Sequence, residues 1–114
     1  MDNRYFTILG HATGRLLLKR PGYDLDMERV IAHAKHNGCF FEINSSPERL
    51  DLSAENSRLA SAAGVRIAIS TDAHSASEFG TIRYGIEQAR QAGLEARSVL
   101  NCQSLAKLTE LFKR

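Results

Sequence analysis

The sequence predicts an α/β fold in which parallel strands are joined by right-handed crossovers and flanked by helices. Two observations predict it. Short apolar runs at 5–10, 39–44 and 65–70 alternate with amphipathic segments, and Gly38, Gly64 and Gly93 punctuate the ends of those segments. Polar residues suited to chemistry follow the apolar runs each time: His11 after the first, Glu42 and Asn44 at the end of the second, Asp72 and His74 after the third. In parallel sheets the active side chains gather at the carboxyl ends of the strands.

The elements follow in order. Tyr5 to Gly10 reads as the first strand, and His11 to Gly22 as a loop closed by Pro21-Gly22. Asp26 is a good N-cap for a helix through about His36, with Val30, Ile31 and Ala34 on one face. Cys39 to Asn44 is the second strand, and Ser45 to Leu52 a turn-rich loop around Pro47. Ser53 caps the second helix, with Leu59, Ala60 and Ala63 inward. Val65 to Ser70 is the third strand, and Ser77 to Gly80 a turn or short helix. Thr81 is expected to cap a helix through Ala92, with Ile82, Ile86 and Ala89 inward. Leu94 to Asn101 reads as an irregular link. Ser104 to Phe112 is a last amphipathic helix, with Leu105, Leu108 and Leu111 on its apolar side.

Bulk properties narrow the class. With 114 residues, 43% hydrophobic and 25% charged, the chain is expected to be one domain, 1–114, of an ordinary soluble kind. A formal net charge of +2 is too mild for a dedicated non-specific nucleic-acid binder. The basic residues cluster once, as Arg15, Lys19 and Arg20 around Leu16-Leu17-Leu18; phosphate binding and a solvated loop edge both fit. Cys39 and Cys102 form neither a disulfide framework nor a zinc knuckle. The start lacks a secretory pattern and no run approaches a membrane span, so a cytoplasmic protein without a membrane partner is expected.

Asp72 and His74, two residues apart past a strand, point the same way from an extended backbone. An oxygen and a nitrogen donor together suit Zn, Mn or Fe, and His11 offers a third candidate ligand. The competing reading is an Asx turn with a surface histidine. Glu42 and Asn44 share a strand face, from which they either support the site from behind its ligands or bond a neighbouring loop. Arg15 suits a bidentate grip on phosphate or a surface ion pair. His33 and His36 near a helix end are more simply cations favoured by the helix dipole than a ligand pair.

With these residues in hand, the chain resembles the PHP (polymerase and histidinol phosphatase) family of metal-dependent phosphoesterases, most nearly the C-terminal PHP domain of bacterial family X DNA polymerases. The segments that carry the resemblance are Ile8 to Leu17, Glu42 to Asp51 and Ser70 to His74, with Arg83-Tyr84-Gly85 and Val99-Leu100-Asn101 beside them. The resemblance implies part, about half, of a distorted (β/α)7 barrel. It implies metal ligands at His11, Asp72 and His74, with divalent Zn, Mn or Fe polarising a phosphoryl oxygen and activating water. It implies 3′-5′ exonuclease and 3′-end processing of DNA in the parent enzyme, hence a link to DNA repair.

The family's opening H-x-H motif is absent, as are the glutamate and the further histidine that follow it. A complete α/β barrel takes about 250 residues. Three of the family's ligands remain, so the expected function is that of a phosphoesterase fragment, weak or inactive alone. The alternative is a non-catalytic, oligomeric half-domain with a relic metal site. A cut barrel exposes strand edges and apolar faces, so a homo-oligomer, most simply a dimer, is expected.

Overall fold

Three short parallel strands form the spine of the molecule, and the computed structural model describes residues 1–113 around it. They are β1 (Ile8–Leu9), β2 (Phe40–Asn44) and β3 (Ile67–Ser70), paired in the order β1-β2-β3. Helix α1 (Met27–Asn37) connects β1 to β2, and α2 (Ala54–Ala62) connects β2 to β3. After β3 come a 3-10 helix, Ala76–Thr81, then α3 (Ile82–Gln91), two further 3-10 turns and α4 (Leu105–Leu111). The α/β class with parallel strands and flanking helices is as expected. No helix among the described residues is long and apolar enough to cross a membrane.

The pleat decides what each sheet face does. Phe41 lies beside Ile67 and Ile43 beside Ile69, so their side chains form one apolar face. That face packs with Ile31 and Ala34 of α1, Ala60 of α2 and Ala89 of α3 in a single core. Phe41, Ile43 and Ile67 are fully buried, each worth roughly 1.5–3 kcal/mol of transfer free energy. The opposite face carries Phe40, Glu42, Ala68 and Ser70. It is partly covered: Phe40 is buried, with Phe112, just after α4, packed edge-on to it at a centroid distance of 5.7 Å, while Glu42, Ala68 and Ser70 are half-buried and Ile8 on the β1 edge stays 38% exposed.

Gly85 sets how closely α3 sits on the sheet. A Cβ there would lie 1.9 Å from Ser45 Oγ and 2.7 Å from Ile69 Cγ2. Two caps hold as expected, the side chains of Asp26 and Ser53 accepting from the amides of Arg29 and Asn56, and Ser104, expected inside the last helix, caps it by accepting from the Lys107 amide.

Several expectations need correction. The first strand is only Ile8–Leu9, because the segment before it turns, with the Phe6 amide bonded to the Asn3 carbonyl. Cys39 lies outside β2, its amide closing the end of α1 on the Ala34 carbonyl. Thr81 does not cap α3; it sits in the preceding 3-10 helix, and its hydroxyl donates to the Glu78 carbonyl. Leu59, Ile86 and Leu105 do not point inward but are 42%, 39% and 80% exposed. Helices α1, α2 and α3 meet one face of a three-stranded sheet and α4 leads into Phe112 against the other, so only a narrow stripe of each helix is buried. The link after α3 is irregular, as expected, although Val99 makes an isolated parallel bridge to Ile67.

Candidate functional site

The residues that follow β1, β2 and β3 come together at the carboxyl edge of the sheet, tied by side-chain hydrogen bonds across the strands. After β1 the chain turns at His11, with φ 27°, and Asp72 after β3 also adopts a positive φ of 56°. Non-glycine residues in this region are uncommon, and such conformations gather at functional sites.

Glu42, central on β2, holds both neighbours. Its Oε1 accepts from the His11 amide at 2.9 Å, and its Oε2 accepts from the Ser70 hydroxyl. It therefore fixes the turn that carries the His11 imidazole. Asn44, at the end of β2, donates from Nδ2 to Asp72 Oδ2 at 3.1 Å, and its own Oδ1 accepts from the Ser46 amide at 3.0 Å. Glu42 and Asn44 thus brace the candidate ligands from the neighbouring strand.

His74 is oriented from two sides. Its amide donates to Glu78 Oε2 in the following 3-10 helix. Its Nδ1 lies 2.7 Å from the Asp72 carbonyl oxygen. A carbonyl can only accept, so the proton is on Nδ1 and, in the neutral ring, Nε2 keeps its lone pair. That is the tautomer a metal-binding imidazole needs.

Asp51, which ends one of the segments that carry the resemblance, bears no local signal of its structural role. It is fully buried. Its Oδ2 accepts from the Thr13 amide at 3.0 Å, the Thr13 hydroxyl at 2.8 Å and the Gly14 amide at 2.9 Å. This one carboxylate clamps the loop after His11 onto the loop after β2. Gly14, with φ +66°, turns the clamped loop, and the Tyr23 ring lies 2.5 Å from where a Cβ would sit.

Arg15 is committed to the fold in this arrangement. Its Nε donates to the Arg49 carbonyl at 2.9 Å and its Nη2 to the Leu50 carbonyl. Gln88 of α3 donates to the Leu50 and Leu52 carbonyls, each at 3.1 Å. Together they hold the 45–52 loop. His33 pairs with Asp2 across 2.7 Å, away from the strand ends.

A cleft of about 390 Å³ opens between this loop and the segment after β3. Ser46, Glu48, Arg49, Asp72, His74 and Glu78 are among its lining residues. The donor types present suit a divalent cation, carboxylate and imidazole together. Their number does not: among the described residues no group of three His, Cys, Asp or Glu could hold a metal ion. Asp72 and His74 line the same cleft, but His11 does not complete a three-donor set with them.

Comparison with known proteins agrees with the resemblance. No family model matches the chain. It is 35% identical over 114 residues to the DNA polymerase/3′-5′ exonuclease PolX of Bacillus subtilis, an alignment that takes in all of this chain and 20% of that protein. It is 32% identical over 119 residues to a probable phosphatase of Thermoanaerobacter sp., covering 99% of this chain and 46% of the relative. A probable phosphatase of Caldanaerobacter subterraneus subsp. tengcongensis is 30% identical over 107 residues, covering 89% of this chain and 40% of the relative. The matches take in 89–100% of this chain, which spans less than half of each relative.

Proposed function

We propose that this chain supplies the strand-end half of a PHP-type phosphoesterase site whose parent enzyme processes DNA 3′ ends. The observation that carries the reading is the joint placement of His11, Asp72 and His74 on one braced sheet edge, in a chain related throughout to a polymerase X exonuclease. The partial (β/α)7 barrel fits the three parallel strands with α1, α2 and α3 on one face and partial cover on the other.

In this reading the chain binds and orients rather than completes the chemistry. Asn44 fixes the Asp72 carboxylate, Glu42 fixes the His11 turn, and the Asp72 carbonyl sets the His74 tautomer. A divalent Zn, Mn or Fe ion would need donors from another polypeptide segment or a second copy, so the chain alone is weak or inactive. A homodimer would add donors and cover the open sheet face. Substrate and setting follow the parent: a DNA 3′ end in the cytoplasm. The lack of a three-donor group among the described residues favours one other reading, a non-catalytic, oligomeric half-domain.

Metal titration separates the two. With Mn²⁺ or Zn²⁺ the phosphoesterase reading expects saturable binding that His74→Ala weakens about tenfold or more, the scale of losing one ligand or its support. Binding indifferent to His74→Ala, or none at all, favours the non-catalytic reading.

A further inference from the structure

We infer that Arg49, rather than Arg15, is the phosphate-holding residue of the strand-end cleft. The two arginines flank the same loop but differ in what engages them. Arg15 gives Nε and Nη2 to the Arg49 and Leu50 carbonyls. The Arg49 guanidinium has no hydrogen-bond acceptor and no ion-pair partner among the described residues, and its Nη1 is buried without a partner. Buried polar atoms are nearly always satisfied, so an unsatisfied guanidinium nitrogen calls for an explanation. Arg49 lines the same cleft as Asp72 and His74.

The loop that carries Arg49 is unusually well held. Arg15 and Gln88 take its carbonyls, the Asn44 amide takes the Asp51 carbonyl, and Asp51 clamps it to the loop after His11. A rigid loop offering an unspent guanidinium is preorganised for a ligand that supplies paired acceptor oxygens. Carboxylate and phosphate both have that geometry. The neighbouring carboxylates do not take the position: Asp72 Oδ2 accepts from Asn44, Glu78 Oε2 accepts from the His74 amide, and no ion pair joins Arg49 to Glu48. A non-bridging phosphate oxygen pair of a phosphodiester fills it. The assignment rests on the phosphoesterase reading for the identity of the anion, and it names the residue that would hold the substrate beside the candidate ligands.

The test uses the whole chain in EDTA, so that no metal contributes. Inorganic phosphate and a short oligothymidylate are each titrated against the wild type, Arg49→Gln and Arg49→Lys, with backbone amide shifts recorded on the wild type. Saturable binding is expected, weakened about tenfold or more in Arg49→Gln, the scale of one hydrogen-bonded charged contact, and partly restored in Arg49→Lys. The wild-type shifts should centre on Ser46, Arg49 and Thr71. Tighter binding of the oligonucleotide than of phosphate assigns the subsite to a phosphodiester, and equal affinity assigns it to phosphate itself.

Arg49→Gln binding as the wild type does, shifts confined to the 15–20 segment, or no saturable binding would each overturn the inference. Should Arg49→Gln fail to fold, the wild-type shift map decides alone. Absence of His74-dependent metal binding alongside Arg49-dependent phosphate binding would sink the phosphoesterase reading and leave the subsite standing; the converse would sink only the subsite.

Discussion

Asp51 binds together loops that lie far apart in the chain. One of its oxygens satisfies two backbone amides and a hydroxyl of the loop that begins at His11. Asp51→Ala leaves those amides unpaired, and the expected loss is about 2–4 kcal/mol in urea unfolding. Asp51→Asn keeps an acceptor oxygen and should lose less; an alanine variant as stable as the wild type would contradict the clamp. Asp51 and Arg49 escaped sequence reasoning for a physical reason. Their importance comes from partners more than thirty residues away, or from having none, and no local spacing encodes either. His11, Asp72 and His74 draw notice in the sequence because each lies within a few residues of the end of an apolar run. Arg15 drew notice as a basic residue beside leucines, but nothing local reveals that backbone carbonyls engage it.

At the scale of elements, the caps and the glycines were the readable signals. Asp26 and Ser53 cap as expected because an N-cap bond is a short-range affair. Ser53→Ala should lower stability by about 1 kcal/mol, as measured by the thermal midpoint. The failure at Thr81 has a tertiary origin: a 3-10 helix runs directly into α3, leaving no extended residue to act as a cap. Inward-facing leucines were overcounted because periodicity reports the direction of a face and not how much of it meets a core. Gly85 makes the opposite point, since helix composition hides a contact that only packing reveals. Gly85→Ala should cost about 1–3 kcal/mol by pushing α3 off Ser45 and Ile69. Unchanged urea stability would mean that the helix can move away freely.

For the whole molecule, the α/β class follows from alternation alone, whereas the one-sided burial does not. Parallel sheets are normally covered on both faces, yet here α1, α2 and α3 share a core on one face only. The partly covered face and the exposed β1 edge predict self-association when the chain is isolated. Light scattering should report a dimer or larger species, and a monodisperse monomer at high micromolar concentration would contradict it. The central claim, that this chain is the strand-end half of a phosphoesterase site, is tested most directly by exchange. The chain replaces the matching segment of the Bacillus subtilis PolX exonuclease, with and without Asp72→Asn, and release of nucleotides from DNA 3′ ends is measured. The account predicts that the chimaera retains exonuclease activity and that Asp72→Asn lowers it at least about a hundredfold, the scale of losing catalytic charge stabilisation. A folded chimaera without activity, or one indifferent to Asp72→Asn, would contradict it.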